Sequence, residues 1–243
     1  MDALIVAAGK GTRINGDDHP KPKPLFICKG KYLIEHVILR LKKAGITHIY
    51  IVVGFMKETL ISAIGDGAKY GVPITYIDNN EFEKANGLSV YKAKPFLTRP
   101  FILAMSDHIF EQSAVNQFVQ SMQRTLTTNP RCTLYTDKKL DQISDVEDAT
   151  KVEEDNQKIV HIHKKLQQYN AIDTGMFFFT PKFFTALEKA QSSGDYSITG
   201  GVQVLASEKR MYTFDIGPFL WMDIDTKKEL TILEEKFNAF LDH

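Results

Sequence analysis

A chain of 243 residues with 43% hydrophobic content can bury one large core or two small ones. Thirty basic and thirty acidic residues balance to a formal charge of zero, which argues against a nucleic acid or an anionic membrane surface as main partner and leaves room for a local cationic pocket. Cys28 and Cys132 are far apart and lack metal-ligand spacing, so they read as packing residues of a reduced, cytoplasmic protein; no apolar run approaches the ~18 residues of a membrane span, and the chain enters a strand at once, leaving no room for a signal peptide.

Ala3–Ala8 is a short apolar run cut off by glycine and reads as a buried strand. Tyr32–Ala44 carries Leu33, Ile34, Val37, Ile38 and Leu41 at helical spacing and stops at Gly45. Ile46–Gly54 is a second buried strand, Met56–Ile64 a short helix and Val72–Ile77 a third strand. Strands alternating with helices imply right-handed βαβ units on a parallel sheet. Asn86–Lys94 reads as a helix, Phe101–Met105 as an apolar strand, Val115–Leu126 as a helix, and Cys132 opens another strand.

The pattern then changes. Thr150–Val152 and Lys158–His163 flank a polar turn over 153–157 and read as an antiparallel hairpin, which could pair two subunits into a homodimer. Met176–Thr180 is an apolar strand, followed by a helix with Pro181 at its first turn. Ser197–Ala206 reads as a helix despite two glycines, Met211–Ile216 and Leu220–Met222 as late strands. The last helix opens on the capping-box spacing of Thr226 and Glu229 and carries Leu230, Leu233, Phe237 and Phe240 on one side. The expectation is one α/β domain over 1–243, with a Rossmann-like, mostly parallel central sheet, flanking helices and an extra antiparallel hairpin. A nucleotide-binding half covers about 1–130 and an acceptor-binding half about 131–243.

Several groups can carry chemistry. Gly9 and Gly11 after the first strand let backbone N–H groups face a phosphate. Arg13 and Lys23 add a bidentate donor and a point charge, with Lys21 a rival for the second role. Neither GxxxxGK[ST] nor GxGxxG fits this loop, and the missing third glycine removes a dinucleotide oxidoreductase. Asp107 stands just past a buried strand, where open α/β sheets place ligands, and could hold Mg2+. Asp223 and Asp225 would share a face if extended, and such a pair repels without a cation; Asp225 is favoured as ligand although it also suits a helix N-terminus. Asn86 and Gly87 permit close approach to a flat base. Lys151, on a half-polar strand, could reach a second phosphate, and Asp173, Thr174 and Gly175 form a turn that opens an apolar strand. His108, His161 and His163 read as structural or surface residues.

AAGKGTR (Ala7–Arg13) followed by Pro22-Lys23-Pro24-Leu25 resembles the signature of nucleotidyltransferases that make NDP-sugars and CDP-alcohols. The resemblance implies that Ala8, Gly9, Gly11, Thr12, Arg13 and Lys23 hold the triphosphate. MSDHIF, with Ser106 and Asp107, DATKVEE, DTGMFFF and LWMDIDT follow in order, and together they resemble the CTP:inositol-1-phosphate cytidylyltransferases. That family implies attack of an acceptor phosphate on the α-phosphorus of CTP, with Mg2+ on Asp107, Asp223 and Asp225 and the phosphorylated alcohol near Lys151, Asp173, Thr174 and Gly175. The resemblance also implies base contacts from Asn86 and Gly87. Such enzymes are often fused to a membrane phosphotransferase, and no such segment follows the last helix here. Choline-phosphate and phosphonate cytidylyltransferases, sugar-1-phosphate nucleotidyltransferases and a non-catalytic nucleotide-binding regulator stay open as alternatives.

Overall fold

The computed structural model describes residues 1–15, 20–143 and 146–241, with side chains to 236. In chain order the first half runs β1 (Asp2–Ala7), α1 (Thr12–Asn15), β2 (Ile27–Cys28), β3 (Lys31–Tyr32), α2 (Leu33–Lys43), β4 (His48–Val53), α3 (Lys57–Ile64), β5 (Ile74–Asp78), α4 (Asn86–Lys92), β6 (Phe101–Met105), β7 (His108–Phe110) and α5 (Gln112–Thr125). The second half runs β8 (Cys132–Asp137), β9 (Lys151–Asp155), β10 (Lys158–His163), β11 (Ala171–Phe179), α6 (Lys182–Ser192), α7 (Ile198–Ser207), β12 (Met211–Asp215), β13 (Trp221–Asp223) and α8 (Lys227–Leu241).

Nine strands make one sheet in the order β5-β4-β1-β6-β11-β8-β12-β10-β9, so both halves of the chain share it. β1 pairs in parallel with β4 and β6, and β8 with β12, whereas β11 runs against β6 and β8, and β10 against β12 and β9. The alternation of side chains along β1 feeds two cores: Ala3, Ile5 and Ala7 pack on one face, Leu4, Val6 and Ala8 on the other. Helices α2, α3 and α5 cover the first face through residues such as Val37, Leu60 and Phe118, while α4, α6 and α7 cover the second through Val90, Phe183 and Val202. A strand buried on both faces reads as a continuous apolar run, which is why β1 and β6 are legible without periodicity.

Two features of this frame place the site. Val6 stands opposite Met105, so the glycine loop leaving β1 and the Ser106-Asp107 turn leaving β6 emerge side by side. The three-residue strands β7 and β13 then form a separate antiparallel ribbon that sets His108 opposite Asp223.

The structure differs from the sequence expectation in places. Glu153–Asp155 belong to β9, and the hairpin turns on Asn156 and Gln157, which take φ of 50° and 59°. Asp173, Thr174 and Gly175 lie inside β11 rather than before it, and a register shift follows Asp173 where Gly175 takes φ of 77°. Helix α5 starts at Gln112, three residues before the apolar run that signals it. In α8, Leu233 is buried and Leu230 packs against the core as expected; Phe237 and Phe240 lie outside the described side chains. Among the described residues no helix is long and apolar enough to cross a membrane.

Gly87 is set by packing. A Cβ there would lie 2.5 to 2.7 Å from backbone atoms of Tyr196 and Ser197, so α4 meets the start of α7 at backbone contact. Gly87→Ala should therefore lower the unfolding free energy by about 1–3 kcal/mol in chemical denaturation; an unchanged midpoint would show that this contact yields freely.

Candidate active site

The Gly9–Arg13 loop leaves β1 with little room to spare. Gly11 takes φ of 59°, and a Cβ on it would sit 2.4 Å from the Cβ of Lys23. The glycine thus serves the lysine: the loop can cross its side chain only because nothing projects there. Asn15 ties the arrangement down, donating to the carbonyls of Lys10, Gly11 and Lys21 and accepting from the Lys21 N–H.

Lys23 is buried, and its Nζ lies 2.5 Å from Asp107 Oδ2, 2.5 Å from Asp225 Oδ1 and 3.9 Å from Asp223 Oδ1. Burial opposes its charge, but the three carboxylates outweigh that and hold the ammonium above its ordinary range. Arg13 reaches the same cluster, with Nη2 2.5 Å from Asp225 Oδ2 and Nη1 2.6 Å from Asp148 Oδ2. Asp225 therefore has both oxygens engaged by fixed cations.

Asp107 and Asp223 do not. Their Oδ1 atoms are buried and accept no hydrogen bond among the described residues. Those two oxygens and His108 Nε2 lie close together: Nε2 is 3.8 Å from Asp107 Oδ1 and 3.4 Å from Asp223 Oδ1, and the three residues can bring ligand atoms within 4.8 Å of one another. Burial pushes the Asp223 carboxyl up to about 6, with Asp107 adding like-charge repulsion and His108 opposing. Burial also disfavours the charged Asp107, yet Lys23 keeps its pKa below the usual carboxylate range. The imidazole of His108 loses by burial but gains more from Asp223 and Asp107, which raises its pKa. Two orphaned carboxylate oxygens beside an imidazole fit a divalent cation, and Asp107 and Asp223 are residues that could hold it.

Two clefts meet at this cluster. The first, of about 310 Å³, is lined by Gly9, Gly11, Thr12, Lys23, Ser106 and Asp107 at one end and by Phe82, Lys84, Asn86 and Ser89 at the other. The second, of about 750 Å³, runs past Asp148, Lys164, Asp173, Trp221 and Asp223. Arg13, Asn86, Met105 and Asp225 border both, so the carboxylate cluster marks their junction.

The model of the Nucleotidyl transferase family matches residues 2–238. The chain belongs to this family. A bifunctional IPC transferase and DIPP synthase of Thermococcus kodakarensis is 30% identical over 230 residues, covering 94% of this chain and 48% of that protein. The UTP–glucose-1-phosphate uridylyltransferase AglF of Haloferax volcanii is 28% identical over 218 residues, covering 86% of this chain and 85% of that one. The structure of the inositol-1-phosphate CTP transferase from T. maritima superimposes with a TM-score of 0.84 at 26% identity, covering 98% of this chain and 95% of the other. The chain spans about half the length of the bifunctional relatives it matches.

Several residues singled out in the sequence make contacts within the nucleotidyl transferase scaffold, and Ala8, Gly87, Lys151 and Thr174 line neither of these two clefts. Ala8 is buried, and its carbonyl accepts from the Phe55 N–H at 3.0 Å. Lys151, expected to reach a second phosphate, is buried, and its Nζ donates to the carbonyls of Glu147 and Lys164 at 3.3 and 2.9 Å. Thr174 is fully buried and donates to the Tyr135 carbonyl at 2.7 Å. Gly87 makes the helix contact described above, while Asn86 borders both clefts and accepts from the Ile198 N–H at 3.0 Å, satisfying the first turn of α7. Gly175 borders the second cleft but is required by His108, whose Nδ1 would lie 2.4 Å from a Cβ there. Of the histidines, His161 pairs with Glu153 at the surface and His163 accepts from the Lys165 N–H, but His108 belongs to the site. Nothing in a three-residue strand announces that His108 would face Asp223. Asp148 and Trp221 were likewise not visible as site residues; the indole N–H donates to Asp137 Oδ2 at 2.8 Å and fixes the ring as a cleft wall.

Asp173 borders the second cleft, and burial pushes its carboxyl from 3.8 up to about 6 despite the Gly175 N–H it accepts. A carboxyl whose folded pKa is raised stabilises the fold most below its unfolded pKa and loses that contribution as pH rises through the folded value. Asp173→Asn should therefore raise the melting temperature more at pH 7 than at pH 4; an equal effect at both pH values would contradict the shift.

Proposed function

We propose that this chain is a cytidylyltransferase that moves CMP from CTP onto the phosphate of a small polyol, of the inositol-1-phosphate kind, giving a CDP-alcohol and pyrophosphate. The observation that carries this reading is the junction of the two clefts, where Lys23, Arg13 and the carboxylates of Asp107, Asp223 and Asp225 meet under the glycine loop. The printed names of the T. kodakarensis and T. maritima relatives support inositol phosphate as acceptor and, for the latter, CTP as donor. Cys28 and Cys132 are buried free thiols, in keeping with a reducing, cytoplasmic setting.

The nucleotide lies in the smaller cleft. Its triphosphate takes the backbone N–H groups of Gly9–Thr12 together with Lys23 and Arg13, and its base lies toward Phe82, Asn86 and Ser89. The acceptor enters the larger cleft. With the Lys151 ammonium committed to two carbonyls, Lys164 at the cleft wall takes the part of holding the acceptor phosphate. Asp137 and Asp173 offer acceptors for the alcohol's hydroxyl groups, and Trp221 a flat wall for its carbon face. Asp107 and Asp223 would hold a divalent cation of the Mg2+ kind, which would supply charge neutralisation.

A phosphate monoester has its second pKa near ~6 and is already a nucleophile at neutral pH, so no general base is required. The chain's own task is to hold two anions in line and offset charge as pyrophosphate departs. Lys23 and Arg13 are placed for that: each can exchange a carboxylate contact for a phosphate oxygen without leaving the cluster.

The test is incubation with CTP, UTP, dTTP or GTP, a divalent cation, and inositol-1-phosphate, glucose-1-phosphate or phosphocholine, followed by mass spectrometry. CDP-inositol from the first pair is expected; product only from UTP or dTTP with the sugar phosphate would establish the sugar reading instead. Asp107→Asn should lower kcat by a factor on the order of 10² while the melting curve stays cooperative. Lys23→Ala should lose far more kcat/KM than Lys21→Ala, since the Lys21 ammonium lies over the Phe26 ring.

A further inference from the structure

The ring of His108 is fixed from three sides. Nδ1 lies 2.7 Å from the Thr174 carbonyl, an acceptor only, so Nδ1 carries the hydrogen of that bond. The ring stacks against Trp221 at 5.8 Å between centroids, and the absent Cβ of Gly175 leaves the space that the Nδ1 edge occupies. With one nitrogen tied to a carbonyl, the other is aimed, and it is aimed at Asp107 Oδ1 and Asp223 Oδ1. Among the described residues, these two buried oxygens of the cluster have no hydrogen-bond partner. The other oxygen of Asp107 is already taken by Lys23.

An imidazole held through one nitrogen by a carbonyl, with the second nitrogen beside open carboxylate oxygens, is the usual dress of a metal-ligating histidine. Ligands around a cation with bonds of about 2.1 Å stand about 3 to 4 Å apart, the range of the Nε2 separations here. Nitrogen ligation also changes which cation is preferred. Mg2+ takes oxygen donors almost exclusively, whereas a mixed nitrogen and oxygen set binds first-row transition cations more strongly.

We infer that His108 Nε2 is a third protein ligand beside Asp107 and Asp223, and that it makes this site bind Mn2+ more tightly than Mg2+. The inference rests on the metal role given above to Asp107 and Asp223. Mg2+ can occupy the oxygen ligands, but the nitrogen rewards the softer cation. Thr174, sequestered from the acceptor cleft, acquires a purpose as the residue whose carbonyl sets the ring, and Gly175 as the residue that makes room for it.

The test uses the purified full chain with MnCl2 and no nucleotide, so that it reads coordination and not turnover. Bound Mn2+ should show ¹⁴N modulation in pulsed electron paramagnetic resonance, and competition with MgCl2 should give at least tenfold tighter binding of Mn2+. His108→Phe keeps an aromatic ring against Trp221 and removes the ligand. It should abolish the ¹⁴N signal and weaken Mn2+ about tenfold or more, with Mg2+ changed less than threefold. Bound Mn2+ without nitrogen coupling, equal affinity for the two cations, or no binding of Mn2+ to the wild-type chain would each overturn the inference. The nitrogen signal of the wild-type protein decides the matter even if the variant fails to fold. A chain that binds Mn2+ through nitrogen yet forms no CDP-alcohol would refute the functional reading and leave this one standing.

Discussion

One buried ammonium holds the site together. Lys23 follows the glycine loop, Asp107 follows β6, and Asp223 and Asp225 belong to the segment around β13; these pieces come from near the start, the middle and the end of the chain. Three carboxylates brought this close repel one another strongly at the reduced dielectric of a cleft wall. Lys23 touches two of them directly and stands 3.9 Å from the third. Arg13 shares the work at Asp225. Gly11 matters because it lets the loop lie across the lysine, so the glycine signature and the acidic cluster are parts of one construction.

The same arrangement would let a chain of zero formal charge take the highly charged substrates of the proposed reaction. Lys23 is buried and Arg13 lies at the surface, and both are paired with carboxylates of the site. A divalent cation held by Asp107 and Asp223 would lower the local negative charge and would leave Lys23 and Arg13 freer to meet phosphate oxygens. Metal and nucleotide would then be complementary occupants of one charge-balanced cluster. In the proposed reaction, the two clefts meeting there would give a donor and an acceptor separate approaches to a shared centre.

Much of this was legible in the chain. Apolar runs buried on both faces announce β1, β4 and β6, and glycine or aspartate at their ends marks the edge where ligands collect. Gly9, Gly11, Arg13, Lys23, Asp107, Asp223 and Asp225 could be named because each lies next to such a strand end or inside a compact motif. What escaped depends on contacts between distant segments. Lys151 reads from its half-polar strand as a group that could reach a second phosphate, but β9 pairs with β11 at that point and the ammonium turns to the carbonyls of Glu147 and Lys164. Gly87 reads as an opening for a base, but its contact is with residues more than a hundred positions away. His108 was missed because the β7–β13 ribbon is three residues long, too short for alternation to show, and only the pairing register sets it opposite Asp223. Which carboxylate is paired is hidden for the same reason: Arg13 and Lys23 engage Asp225 through contacts that local spacing does not show.

The central claim, that a single lysine offsets a cluster of carboxylates which a divalent cation would otherwise have to neutralise, is tested most directly by melting Lys23→Met and the wild-type chain across a Mg2+ titration. The account predicts a variant several degrees less stable without Mg2+, with a larger cation-dependent gain that narrows the gap as Mg2+ rises. Identical melting temperatures without the cation, together with identical responses to it, would contradict the account.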